Sequence, residues 1–108
     1  MTEKDFPPLH PGKVLLEDFL KPLKLSQHQL AMNMRVAPQK INDIVRCKRG
    51  ITADTALRLA LALNTTPEFW LGLQMDYDLE TAQDSLGKQI EKEVIPVLVN
   101  RNGLGHIQ

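Results

Sequence analysis

"LSQHQLAMNMRVAPQKINDIVRCKRGIT", residues 25–52, decides the fold of this 108-residue chain. Gln27, Ala31, Arg35, Val36, Ile41 and Ile44 stand at the spacing of two short helices joined by a tight turn. Ala31 is small enough to let the second helix cross closely, and Val36 plugs the angle between the two. Ile41 and Ile44 then pin the second helix onto the first. The spacing predicts a helix-turn-helix, in which the second helix lies in the major groove of DNA.

On that reading the second helix presents Gln39, Lys40, Asn42 and Asp43 to base edges, where Gln suits adenine and Lys suits guanine. Arg46, Lys48 and Arg49, at and beyond its end, have the reach and charge for phosphates. The Gln27 amide, at a helix N-terminus, is expected to anchor a further phosphate. Arg35 occupies the turn, where a positive φ normally favours glycine; an L-residue there costs about 1 kcal/mol. Either the turn departs from the usual form or an Arg35–phosphate contact compensates.

Around this segment the pattern is helical throughout. Residues 1–10, with Pro7 and Pro8, read as an extended arm. Pro11 suits a helix start, Val14, Leu15, Phe19 and Leu20 share one face, and Pro22 is expected to close that helix. Ser26 and Gln29 form a capping-box pattern, and Pro38 suits the first turn of the second helix of the pair. Thr52 caps "ADTALRLALAL", apolar nearly all round and so expected at the buried centre. Thr66-Pro67-Glu68 starts a fifth helix. After Gly87, "KQIEKEVIPVLV" reads as a short charged helix turning to β-branched sequence, with Pro96 confining any strand to an edge. The expected architecture is all-α: an arm at 1–10, a five-helix domain at 11–80, and a helix/strand tail at 81–108 suited to dimerisation or partner contact.

Composition bounds the function. One domain is all that 108 residues support. No apolar run reaches membrane-span length, and "MTEKDFPPLHPG" has no signal-type apolar region, so a cytoplasmic protein is expected. A single cysteine, Cys47, permits no internal disulfide, and three scattered histidines give no metal-site spacing. No cofactor is expected. The net charge of zero hides a division: residues 10–50 carry eight cations against three anions, whereas residues 51–108 carry four against eight. A basic half of +5 joined to an acidic half of −4 suits two different partners.

"HPGKVLLEDFLKPLKLSQHQLA", "INDIV", "KRGITADTALRLALAL" and "TPEFWLGLQMDYDL" together resemble the HigA-type antitoxins, also called virulence-associated protein I. These belong to the Xre/λ-repressor-like group of helix-turn-helix proteins, and the resemblance runs from His10 to about Leu79. It implies a λ-repressor-like fold and a homodimer that binds double-stranded operator DNA in its own promoter. It also implies neutralisation of a RelE-like, mRNA-cleaving HigB-type toxin. Arg35 departs from the pattern at the usual turn glycine, and Cys47 stands where a glycine commonly precedes "KRG". The alternative is a stand-alone Xre-type transcriptional regulator with no toxin.

Other residues carry weaker signals. His10 reads as a helix-start residue rather than a metal ligand, and His28 as a solvated side chain. Cys47 lacks a resolving partner for redox work. Phe69, Trp70 and Tyr77 suit packing better than base stacking. The acids Asp76, Asp78 and Glu80 read as a solvated face, with a basic toxin surface as the other reading. No nucleophile–base–orienter set or phosphate-cradling glycine loop is visible, so no enzyme is expected.

Overall fold

The computed structural model describes residues 6–98. Among these, five helices follow one another: α1 over residues 11–23, α2 (Gln27–Met34), α3 (Pro38–Val45), α4 (Ala53–Leu63) and α5 (Pro67–Glu93). Leu15 of α1, Leu30 of α2, Ile41 and Ile44 of α3, Leu59 of α4 and Trp70 of α5 are fully buried in one core. Each helix therefore turns one apolar face inward, and the faces read in the sequence for α1, α2 and α3 are those that do so. Trp70 satisfies its indole N–H by donating to Thr65 Oγ1 at 2.7 Å and packs against Phe19 and Phe69.

Helix α1 runs one residue past Pro22, because its middle widens. Leu15–Leu20 forms a π turn in which the Lys21 N–H reaches the Leu16 carbonyl. A proline lacks an N–H and collides with the carbonyl four residues back, and the wider turn accommodates both defects. Ser26, Thr52 and Thr66 cap α2, α4 and α5 through their side-chain oxygens. The capping box at Ser26 is only half made. The Gln29 amide reaches forward to Asn33 Oδ1 at 2.7 Å instead of back to the Ser26 N–H.

Helices α1 to α4 each lead into a residue in the left-handed region, directly at Lys24, Arg35 and Asn64 and, after α3, one residue past Arg46 at Cys47, with φ from 54° to 63°. The next N–H closes the helix onto an earlier carbonyl: Leu25 to Leu20, Val36 to Ala31, Lys48 to Asp43 and Thr65 to Ala60, at 2.8–3.0 Å. This is the Schellman closure, usually served by glycine. The turn after α2 thus has its ordinary form, with Arg35 bearing the strain.

Two expectations fail. Helix α4 buries only one side, through Thr55, Ala56, Leu59 and Ala60. Leu57 and Leu61, opposite them, are 56% and 88% exposed, since nothing among the described residues packs on that face. The tail does not begin at Gly87 either. Helix α5 passes through it without a break to Glu93, and residues 94–98 form no strand. One glycine costs about 1 kcal/mol in a helix, too little to stop a 27-residue one. A strand needs a neighbour, and none lies among the described residues. The final residues of the expected tail, 99–108, and residues 1–5 of the expected arm lie outside the described residues.

Beyond the core, α5 is apolar on a second face. At 100° per residue, Leu71, Met75, Leu79, Ala82, Leu86 and Ile90 line the side opposite Trp70 and Leu73, and their large side chains are exposed. Gly72 lies beside this stripe, and a Cβ added there would meet nothing within 4 Å.

The start of α1 is bound to the end of α3. His10 is the N-cap: its Nδ1 accepts from the Gly12 N–H at 2.9 Å, Pro11 occupies the first turn, and Gly12 follows. A Cβ on Gly12 would overlap the Ile44 carbonyl oxygen. Only glycine lets α1 approach α3 this closely. The His10 imidazole, 6% exposed, meets the Tyr77 ring edge-on at 4.8 Å. Its burial holds its pKa below the ordinary 6.5, opposed by attraction to the Asp78 carboxylate.

Two predictions follow from these contacts. The unfolded chain binds a proton at His10 more readily than the native one, so stability rises with pH across the interval between the two pKa values. The contribution is complete above about pH 6.5 and is lost as pH falls below it toward the depressed native value. Thermal melts at pH 7.5 and 5.5 should show the loss, and His10→Asn, which keeps a capping side chain, should flatten it. Separately, Cys47→Gly should raise stability by about 1 kcal/mol by relieving the left-handed backbone, measured by urea unfolding. An unchanged or lower midpoint would mean that the cysteine side chain contributes packing that outweighs the strain.

Candidate nucleic-acid interface

The helix pair predicted over residues 27–45 is formed by α2 and α3. Leu30, Ala31 and Met34 of α2 and Ile41, Ile44 and Val45 of α3 are buried, so the opposite side of α3 faces outward. Val36 packs against the core in the turn between them. The sequence-expected residues fall into three groups on this surface.

Gln39, Asp43 and Arg46 form the outermost ridge of α3. The Gln39 Nε2 donates to Asp43 Oδ1 at 2.8 Å, and Arg49 Nε lies 4.0 Å from Asp43 Oδ2. One carboxylate thereby links the first turn of α3 to the basic segment past its end. Asn42 sits on the flank toward α2, where its Nδ2 donates to Gln27 Oε1 at 3.2 Å. Gln27 and Asn42 thus meet across the helix pair, and the Gln27 amide N–H groups are left for an outside acceptor. Lys40 lies on the other flank, half-buried and near enough to Asp54 for its charge to help hold that carboxyl low, after the stronger hydrogen bond and charge of Arg58.

Arg35, Arg46, Lys48 and Arg49 are all exposed. Arg46 closes α3, and Lys48 and Arg49 follow the left-handed Cys47. Asp43 is the one acid between residues 25 and 52, so the surface is strongly cationic. Cations at a helix C-terminus are also favoured by the carbonyls that end it.

Three positioning residues lay outside the sequence reading. Gln74 of α5 accepts the Ile51 N–H on its Oε1 at 2.7 Å and donates to Asp78, fixing the loop that carries Lys48 and Arg49. Arg58 of α4 donates to the Met34 carbonyl at 2.8 Å, just before the Arg35 turn, while held by Asp54 at 2.7 Å. Gly12 braces the end of α3. For Gln74 and Arg58 no sequence signal existed, because partners 23 and 24 residues apart follow no helical period. The "HPG" triplet was visible, but its contact with Ile44 was not.

The arrangement offers amide groups on a protruding helix between guanidinium and ammonium groups, which suits a groove edge flanked by phosphates. Comparison with known proteins identifies the family. The helix-turn-helix family model matches residues 16–70. Virulence-associated protein I of Dichelobacter nodosus is 45% identical over 95 residues, covering 88% of this chain and 86% of the relative. The structure of Pseudomonas aeruginosa antitoxin HigA with the higBA promoter superposes with a TM-score of 0.81 at 45% identity, over 84% of this chain and 99% of that one. The antitoxin GraA in complex with its operator gives 0.82 at 40% identity, over 92% and 100%. This chain belongs to the Xre-like helix-turn-helix family that includes virulence-associated protein I and the HigA antitoxins.

Proposed function

We propose that this chain is a sequence-specific DNA-binding antitoxin that represses its own operon and neutralises a RelE-like toxin of the HigB type. The observation that carries this reading is the outward face of α3, where Gln39 and Asp43 stand between Arg35 and the Arg46–Arg49 cluster. It is supported by HigA and GraA, which match over nearly their whole length and were solved with promoter or operator DNA. Gln39, Lys40, Asn42 and Asp43 make up the face turned toward the groove, and Gln27, Arg35, Arg46, Lys48 and Arg49 hold phosphates. The acidic half of the chain suits a cationic RNase, and the neutral whole limits indiscriminate adhesion to nucleic acid.

The active species is a homodimer that reads two half-sites about 34 Å apart. The second apolar face of α5 supports this. A surface helix is normally apolar on one side only, and Gly72 weakens this one by about 1 kcal/mol with no steric need among the described residues. Both features fit a second copy lying against the stripe, which runs from Leu71 to Ile90 and so joins the end of the 11–80 domain to the tail in one dimerisation surface.

Two experiments test the reading. In a titration against its own promoter fragment and a scrambled duplex, the protein should prefer the promoter about a thousandfold or more. With six to ten phosphate contacts, affinity should fall by roughly 10³–10⁵ between 50 and 200 mM salt. Gln39→Ala should weaken the promoter complex alone, whereas Lys48→Ala should weaken both; equal binding of the two duplexes by the unaltered protein would refute specific repression. In the second experiment, Leu79→Glu should shift the chain to monomer in sedimentation while leaving its helix content by circular dichroism nearly unchanged. A variant that remains dimeric would remove the stripe from the interface.

A further inference from the structure

We infer that Asp43 serves DNA reading as a positioning residue, through Gln39 and Arg49, and not by touching a base. The inference rests on the DNA-binding reading above and assigns a division of labour within it. An ionised carboxylate can only accept hydrogen bonds, and both of its oxygens have a cationic or amide neighbour here. Oδ1 accepts from Gln39 Nε2 at 2.8 Å, and Oδ2 lies 4.0 Å from Arg49 Nε. The Asp43 side chain retains only 24% of its exposure, whereas that of Arg49 retains 51%.

Two consequences follow from this geometry. The first concerns Gln39. A free glutamine amide turns either end toward a base. Adenine, however, requires an N–H aimed at N7 and an oxygen aimed at the N6 amino group. With one Nε2 hydrogen committed to Asp43, the amide is held in one sense, leaving Oε1 and the second N–H for the base. The second concerns Arg49. A guanidinium facing a carboxylate is partly neutralised before DNA arrives, and the carboxylate itself repels phosphates. Asp43 therefore weakens adhesion to any duplex while favouring those in which Gln39 finds its base. Discrimination is a difference between two affinities, and Asp43 widens it from both sides.

The test compares Asp43→Asn and Asp43→Ala with the unaltered protein on the promoter fragment, on a scrambled duplex, and on a set of promoters substituted one base pair at a time. Asparagine keeps an acceptor for Gln39 but releases Arg49. Its affinity for the scrambled duplex should rise several-fold, with a salt dependence steeper by about one unit, as expected when the Arg49 charge facing a phosphate is no longer offset by a carboxylate. Preference at the base pair read by Gln39 should change little. Alanine removes both links: the scrambled duplex should again be bound more tightly, and preference at that base pair should fall about tenfold. Gln39→Ala combined with Asp43→Ala should lose no more preference there than Gln39→Ala alone. A simple loss of fold would lower binding to every duplex, which neither variant should do.

The inference is overturned if both Asp43 variants lose preference at a base pair other than the one read by Gln39, since Asp43 would then read a base directly, as a carboxylate accepting from cytosine does. Unchanged salt dependence on the scrambled duplex in both variants also overturns it. If the unaltered protein binds promoter and scrambled duplex alike, the DNA-reading proposal itself fails and takes this one with it.

Discussion

The structure depends on the approach of α1 to α3 at Gly12. Its absent side chain lets the first helix start against the Ile44 carbonyl, at the point where the reading helix ends. His10 and Pro11 make that start possible, the first by satisfying the Gly12 N–H and the second by needing no N–H partner. The same imidazole rests on Tyr77, so α1, α3 and α5 are tied together through three consecutive residues. The orientation of α3 is therefore set from behind, by backbone proximity and a neutral buried histidine. Its outer surface is left free of core packing.

That separation explains the polar chemistry of the outer surface. The cations past α3 sit where the helix carbonyls already favour positive charge, and Gln74 holds the loop they stand on from the far side of the molecule. Asn42 and Asp43, adjacent in sequence, engage different neighbours: Asn42 joins α3 to α2, and Asp43 joins the two ends of α3. Few of these bonds are buried, and exposed polar pairs contribute little to stability. Their importance lies in which atoms they leave free.

Much of this was legible in the chain itself. Leu30, Ile41, Ile44, Leu59 and Trp70 recur at helical spacing, and each is buried; Ser26, Thr52 and Thr66 stand where caps are needed, and each caps. Periodicity reports which face of a helix is apolar, but not whether a second chain covers it. Hence α4 looked wholly buried although Leu61 is open, and α5 looked divided at Gly87 although it is continuous. The links made by Gln74, Arg58 and Asp43 escaped for a different reason: a polar side chain announces that it can bond, not with whom. Gln29 is the small-scale case, choosing Asn33 over the backbone that a capping box would offer.

The four left-handed closures without glycine have a consequence for the lifetime of the molecule. Lys24, Arg35, Cys47 and Asn64 each hold a backbone conformation that glycine would adopt with less strain, and a small domain has only a few kcal/mol of net stability to lose. The native state consequently opens more often than its core alone would dictate, and an opened chain is what a protease cuts. Anything that binds only the closed form slows that turnover by mass action. The closed form of this fold is thereby sensitive to occupancy of its surfaces, through the backbone at four helix ends.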